Sequence, residues 1–228
     1  MSANFRPVQD REVVQAQFGT SIDETLSWPE EVSPLDLAPI VLGAGGERRQ
    51  AMLASFGLLP HWARDPTLAR RTYNARSETA MDKPNFKDAW AKGQRCIVPA
   101  ECVFEAGPHR GQPTRWRMGA VDGSPLALAG LWSRGWSPNG MAVMTFALLT
   151  VDAQHHLLMD SLQRTEDARL VAMLDAEHFE AWLHAPQAEA HTLLQAWPSD
   201  RLSLTIAGPP PVRNPPRRIS NIKGDILI

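Results

Sequence analysis

The sequence predicts an α+β fold built mainly from antiparallel strands. Three observations carry that prediction. The apolar runs are short and arrive in pairs around turn residues, helical periodicity is confined to a few short segments, and no repeat or low-complexity linker divides the chain. At 228 residues, one domain spanning 1–228 is expected, and an apolar content of 43% is enough to fill its core.

Residues 9–18 read as a helix with Val13, Val14 and Phe18 on one face. Residues 20–39 are turn-rich, broken by Pro29, Pro34 and Pro39. The run IVLGAGGERRQAMLASFGLLP, 40–60, reads as strand, glycine turn, strand. Its GAGG sits after an apolar strand, so it reads as a hairpin turn and not as a phosphate loop. Residues 61–70 form a loop or short helix carrying Trp62. KPNFKDAWAKG, 83–93, reads as a helix with Phe86 and Trp90 one turn apart and Gly93 as its stop. RCIVPAECVFEAG, 95–107, reads as a strand interrupted by Pro99, which implies a sheet edge or a bulge. Residues 113–135 read as a hairpin turning at Asp122–Gly123, and MAVMTFALLTVDA, 141–153, as a buried strand. Strand and helix then alternate. AEHFEAWLHA, 176–185, is amphipathic with Phe179, Trp182 and Leu183 inward, and residues 201–216 run from a strand into a proline-rich loop.

Composition excludes several classes. The net charge of −2 gives no global signal for nucleic acid, although arginines cluster locally, as in Arg70–Arg71 with Arg76 and in Arg110, Arg115 and Arg117. Two cysteines, Cys96 and Cys102, make neither a disulfide framework nor a structural zinc site, so a reduced cytoplasmic setting is expected. His155 and His156 would point to opposite faces of a strand and share no metal. No cofactor or metal is expected. The first residues have no apolar leader and no run reaches 18 apolar residues, so no membrane association is expected, and a monomer is the simplest state.

Two places draw attention as sites. TYNARSETA, 72–80, puts the only tyrosine beside an amide, a guanidinium, a hydroxyl and a carboxylate. It reads equally as a functional wall or as a helix cap at Ser77 with a nearby ion pair. Glu105 sits in the apolar run CVFEAG at a strand end. There it is either a buried acid suited to proton transfer or a surface glutamate on the polar side of a strand. Cys102, three residues earlier with no histidine near in sequence, reads as a buried structural thiol rather than a nucleophile.

The runs ASFGLLPHWARD, TYNARSET, KPNFKDAW, RCIVPAECVFEA, PLALAGLW and FALLTVDA occur in the order seen in one family. The chain resembles the SRAP family, the SOS response-associated peptidases or abasic-site processing proteins, from about residue 35 to 225. That resemblance implies a curved, barrel-like, mostly antiparallel sheet flanked by helices and a groove for single-stranded or abasic DNA. It also implies an N-terminal cysteine whose amine and thiol capture the abasic aldehyde as a thiazolidine. By matching motifs it assigns Asn74 to orienting the N-terminal residue or the sugar, Arg76 to a phosphate, Glu105 to proton transfer at the amine, and Trp62 to base stacking. Asn4, Asp36 and Pro39 complete the implied DNA-facing set.

The departures gather at one place. Ser2 stands where the family has cysteine, Ala3 where it has glycine, Asn4 where it has arginine, Asp36 where it has asparagine, and Gln163 near where it has histidine. Small Ser2 should permit removal of Met1, exposing an amine able to form an imine, but a hydroxyl is a far poorer nucleophile than a thiolate. The expectation is a divergent member that binds single-stranded or abasic DNA, with chemistry at most imine-based and Ser2, Asn74, Glu105 and Gln163 as its catalytic set. Two rivals stand beside it: a peptidase that processes its own N-terminus, and a non-catalytic scaffold.

Overall fold

The computed structural model describes residues 3–46, 48–136, 141–162 and 167–211. Its organising element is one long strand. In chain order the elements are β1 (Asn4–Pro7), α1 (Arg11–Phe18), β2 (Leu37–Gly43), β3 (Arg49–Phe56), a 3-10 turn (Pro66–Arg71), β4 (Asn74–Arg76), α2 (Lys87–Ala91) and β5 (Arg95–His109). There follow β6 (Gln112–Ala120), β7 (Leu126–Trp136), β8 (Ala142–Asp152), α3 (Leu157–Leu162), β9 (Arg169–Val171), α4 (Phe179–His184), α5 (Gln187–Thr192) and β10 (Leu202–Ile206). The fold is α+β, as its sequence predicts.

β5 pairs with β7 along its first half and with β6 along its second, and it meets β2 at Ile97 and β1 from Ala100 to Phe104. The ladder β5–β7–β8–β3–β2 returns to β5, so these strands close into a barrel. Closure removes most free edges. Pairing is antiparallel throughout except where β8 runs parallel to β3 and β4.

Two expectations need correction. Pro99 lies neither at an edge nor in a break of β5, which is the most connected strand of the sheet. Its carbonyl accepts from the Val8 amide at 3.2 Å, so its missing N–H faces the same side, where pairing with β2 has ended and pairing with β1 is beginning. A proline costs no ladder bond at that junction. The bulge it implies is present two residues on in β5, where Glu101 is the extra residue between Cys102, opposite Arg6, and Ala100, opposite Pro7.

Second, β6 and β7 are not a hairpin. Both run antiparallel to β5, end to end along one side of it, and the Asp122–Gly123 turn lets 121–125 loop out between them. The true hairpin is β5–β6, where His109 pairs with Gln112 across Arg110 (φ 50°) and Gly111 (φ 79°). Two positive φ values mark the turn whose twist suits a two-residue hairpin.

The aromatic core ties the N-terminal strand down. Phe5 meets Phe56 edge-on at 5.4 Å, Phe56 stacks on Phe146 at 5.1 Å, and Tyr73 meets Phe56 edge-on at 5.8 Å. Fully burying Phe5 holds β1 in place by roughly 2–3 kcal/mol. On the helical side Asp10 caps α1, and Phe18 stacks on Phe179 at 5.6 Å. Arg49 binds Glu180 and the Phe18 carbonyl, fastening α1 and α4 to the barrel. Phe179, Trp182 and Leu183 face inward as their periodicity predicts, and the Trp182 indole donates to the Cys96 carbonyl at 2.9 Å. Among the described residues no helix is long and apolar enough to cross a membrane.

Candidate functional site

An open cleft of about 730 Å³ lies where β1 meets the β5–β6 hairpin. Asn4 is cross-strand from Phe104, so the antiparallel register carries the start of the chain alongside Phe104, Glu105 and Ala106. Ala3 and Asn4 line the cleft together with Glu105, which is 4% exposed. Glu105 is therefore buried and not a surface glutamate.

β1 alternates: Asn4 and Arg6 are half-exposed, while Phe5 and Pro7 are buried. Asn4 donates through its amide to the Ser33 hydroxyl, and the Ser33 amide donates to the Asp36 carboxylate at 2.9 Å. Asn4 and Asp36, implied as DNA contacts, thus belong to one network bracing β1 against the segment before β2. Pro39, implied as a third DNA contact, is buried within β2, opposite Leu53.

The polar run beginning at Asn74 is carried on β4. β4 pairs parallel to β8, with Asn74 opposite Leu148 and Arg76 opposite Thr150, and neither residue lines the β1–β5 cleft. Arg76 is ion-paired to Asp167 on the surface. Ser77 is buried, and its amide donates to the Thr150 carbonyl at 2.9 Å. Glu78 binds Arg169 at 2.6 Å and accepts from the Asp152 amide at 3.1 Å. Burial pushes the Glu78 carboxyl up, but the Arg169 hydrogen bond and charge, with the backbone donors, bring it below the ordinary glutamate range. The Ser77 helix cap is absent because the chain turns here instead, but the ion pair expected beside it is present twice.

Trp62 is 48% exposed in the loop after β3, open enough to stack on a base. Ser2 and Gln163 lie outside the described residues. Their neighbours are placed: Ala3 lines the cleft, and Leu162 at the end of α3 packs directly on Gly107 of β5. A Cβ on Gly107 would come within 2.8 Å of the Leu162 side chain and 3.0 Å of its backbone. Cys96 and Cys102 are buried and unbridged, and burial pushes both thiols up, away from reactivity. Among the described residues no group of His, Cys, Asp and Glu could hold a metal.

One cluster escapes sequence reading. Arg115 lies 3.6 Å over the Phe104 ring, pairs with the buried Glu31, and donates to the Gly208 carbonyl at 3.2 Å. The alternation of Arg115 and Arg117 around Trp116 was the available signal; nothing local points to Glu31, because their contact spans the fold.

The likeness to known proteins agrees with this architecture. A family model described as SOS response associated peptidase (SRAP) matches residues 1–207. The abasic site processing protein YoqW of Bacillus subtilis is 27% identical over 191 residues, covering 79% of this chain and 81% of that protein. The mouse abasic site processing protein HMCES is 27% identical over 188 residues, covering 66% of this chain and 52% of that protein. A crystal structure from Bordetella bronchiseptica superposes with a TM-score of 0.83 at 28% identity, covering 90% of this chain and 99% of that one. Another, from Bacteroides thetaiotaomicron, shares the fold with a TM-score of 0.77 at 24% identity, covering 90% of this chain and 91% of that one.

Proposed function

Because the chain belongs to the SOS response-associated peptidase (SRAP) family, we propose that it processes abasic sites in single-stranded DNA, with covalent chemistry limited to an imine at its N-terminal residue. The observation that carries this reading is the delivery of β1 to a buried acid: Ala3 and Asn4 share one cleft with Glu105. Relatives named as abasic site processing proteins support the lesion as substrate.

Removal of Met1 leaves the Ser2 α-amine as nucleophile. Its nitrogen attacks the aldehyde carbon of the ring-opened sugar, the C–N bond forms, and the carbonyl oxygen takes a proton. Loss of that oxygen as water gives the imine. Glu105 supplies the proton that lets water leave, and as carboxylate it removes a proton from the adjacent sugar carbon, so that elimination expels the 3′ phosphate. The Ser2 hydroxyl does not trap the imine durably, which separates this chain from a thiol-bearing relative. Asn74 orients the sugar, Arg76 meets a phosphate once released from Asp167, Trp62 stacks on a base, and Gln163 occupies the place of the missing histidine.

The test is borohydride trapping on a single-stranded oligonucleotide with one abasic site, after intact mass has established loss of Met1. The wild type should be trapped only with borohydride, and Ser2→Cys should give an adduct without it. No adduct from either protein under any condition sinks the covalent reading. One observation favours the scaffold reading: Arg76 and Arg115 are each matched by an acid, Asp167 and Glu31. If Asn74→Ala and Arg76→Ala leave DNA affinity untouched, the scaffold reading replaces the catalytic one.

A further inference from the structure

We propose that Arg6 and Arg117 form a phosphate-binding track on the outer face of the β1–β5–β6 ladder, carrying the backbone of single-stranded DNA past the part of the cleft that Asn4, Phe104 and Arg115 line. It rests on the DNA reading above and adds a path for the strand.

The first observation is a contrast in arginine partners. Of the described arginines that are not fully exposed, Arg11 and Arg95 donate to carbonyls, and Arg49, Arg115 and Arg169 donate to carboxylates. Arg6 and Arg117 make no side-chain hydrogen bond or ion pair among the described residues, and the Arg6 Nε is buried without a partner. A buried donor left unmatched is costly, and two like charges on one face add repulsion.

The second observation is their placement. Arg6 is cross-strand from Cys102, and Arg117 is cross-strand from Phe104, so the two flank β5 diagonally on the face that also holds Asn4. The Arg117 guanidinium folds over Gly119: a Cβ there would lie 3.2 Å from its Nη1, so glycine leaves the room it occupies. Both arginines act electrostatically on the Cys102 thiol, yet burial still holds that thiol above its ordinary range. The thiol therefore supplies no negative charge. Glu101, the nearest acid on β5, pairs with neither.

The third observation is continuity. Asn4, Phe104 and Arg115 lie on the same face and line the cleft. A strand whose abasic sugar enters the cleft thus meets Arg6 and Arg117 next, and guanidinium groups bind phosphate oxygens through paired donors.

The experiment titrates a short, lesion-free single-stranded oligonucleotide against wild type, Arg6→Gln, Arg117→Gln, the double variant and Gly119→Val over a range of salt. Each lost phosphate contact should flatten the slope of log K against log salt by about 0.7. The double variant should lose both steps. Gly119→Val, which displaces the Arg117 guanidinium without removing its charge, should weaken binding with a smaller change of slope. Melting curves control for folding: relief of repulsion should leave the Arg→Gln variants at least as stable as wild type. Wild-type binding with an unchanged slope in the double variant overturns the track and leaves the DNA reading standing. Failure of the wild type to bind overturns both. A melting shift with inorganic phosphate alone, without any change in oligonucleotide slope, identifies a free-anion pocket and also overturns the track.

Discussion

The cleft at β1–β5 and the run at β4 are the two places that the sequence singles out, one by a lone acid in an apolar run and the other by a density of polar groups, and the fold treats them differently. At β4 the charges are matched: Arg76 holds Asp167, and Glu78 holds the buried Arg169 while accepting from the Asp152 amide. At the cleft a buried acid, Glu105, lies beside the start of the chain in a space open to solvent. Polar density by itself therefore does not separate fastening from chemistry. The difference lies in the setting: carboxylate–guanidinium pairs at β4, and a cleft wall shared with the start of the chain at β1–β5.

The sharpest way to break the comparison is Glu105→Gln. If Glu105 transfers protons, trapping on abasic DNA should fall by about 10²-fold or more, a size typical of a lost general acid–base group. An unchanged trapping rate would make the cleft as structural as β4. Next is Arg169→Ala, which strands the Glu78 carboxylate and removes a buried donor to the Thr150 carbonyl. Denaturant unfolding should show a loss of about 3 kcal/mol, with little effect on trapping per folded molecule.

Gly107→Ala probes the cleft from its rear. Its Cβ meets the Leu162 backbone, which cannot swing aside, so overpacking should cost about 1–3 kcal/mol and loosen α3 from β5. Arg76→Gln should be the mildest for stability, below about 1 kcal/mol, since both partners of that pair are largely exposed. If it weakens DNA binding at the same time, Arg76 belongs to both regions.

A pH series sharpens the assignment of Glu78. Its folded proton affinity is depressed, so its contribution is present above the unfolded glutamate range, near about pH 4.3, and is lost as pH falls through the lower folded value. The stability gap between wild type and Glu78→Gln should therefore close on acidification below that range. A gap that stays constant with pH would mean the pair contributes through packing alone.

Much of the local structure was legible from the chain. The face of Val13, Val14 and Phe18 marks α1, the glycine turn GAGG between apolar runs marks the β2–β3 hairpin, and Phe179, Trp182 and Leu183 mark the inner face of α4. Cys102 was read as a buried structural thiol because no histidine lies near it in sequence, and Glu105 was singled out because it sits in an apolar run. The hairpin at 113–135 was misread because a turn signal such as Asp-Gly states that the chain bends, not which strand it then pairs with. Of the two readings of Pro99, the bulge holds and the edge does not, because an edge and a change of neighbours both tolerate a missing N–H and local sequence does not distinguish them.

The sequence by itself determined most of the elements and the order of the family's motifs, because propensity, periodicity and residue identity are properties of neighbours along the chain. Only the tertiary structure decided that β5 would serve as the common partner of β1, β2, β6 and β7, that Glu31 would meet Arg115, and that Arg6 and Arg117 would share a face. Those pairings join residues far apart in sequence, and their energies depend on which surfaces are left to be buried together once the barrel closes.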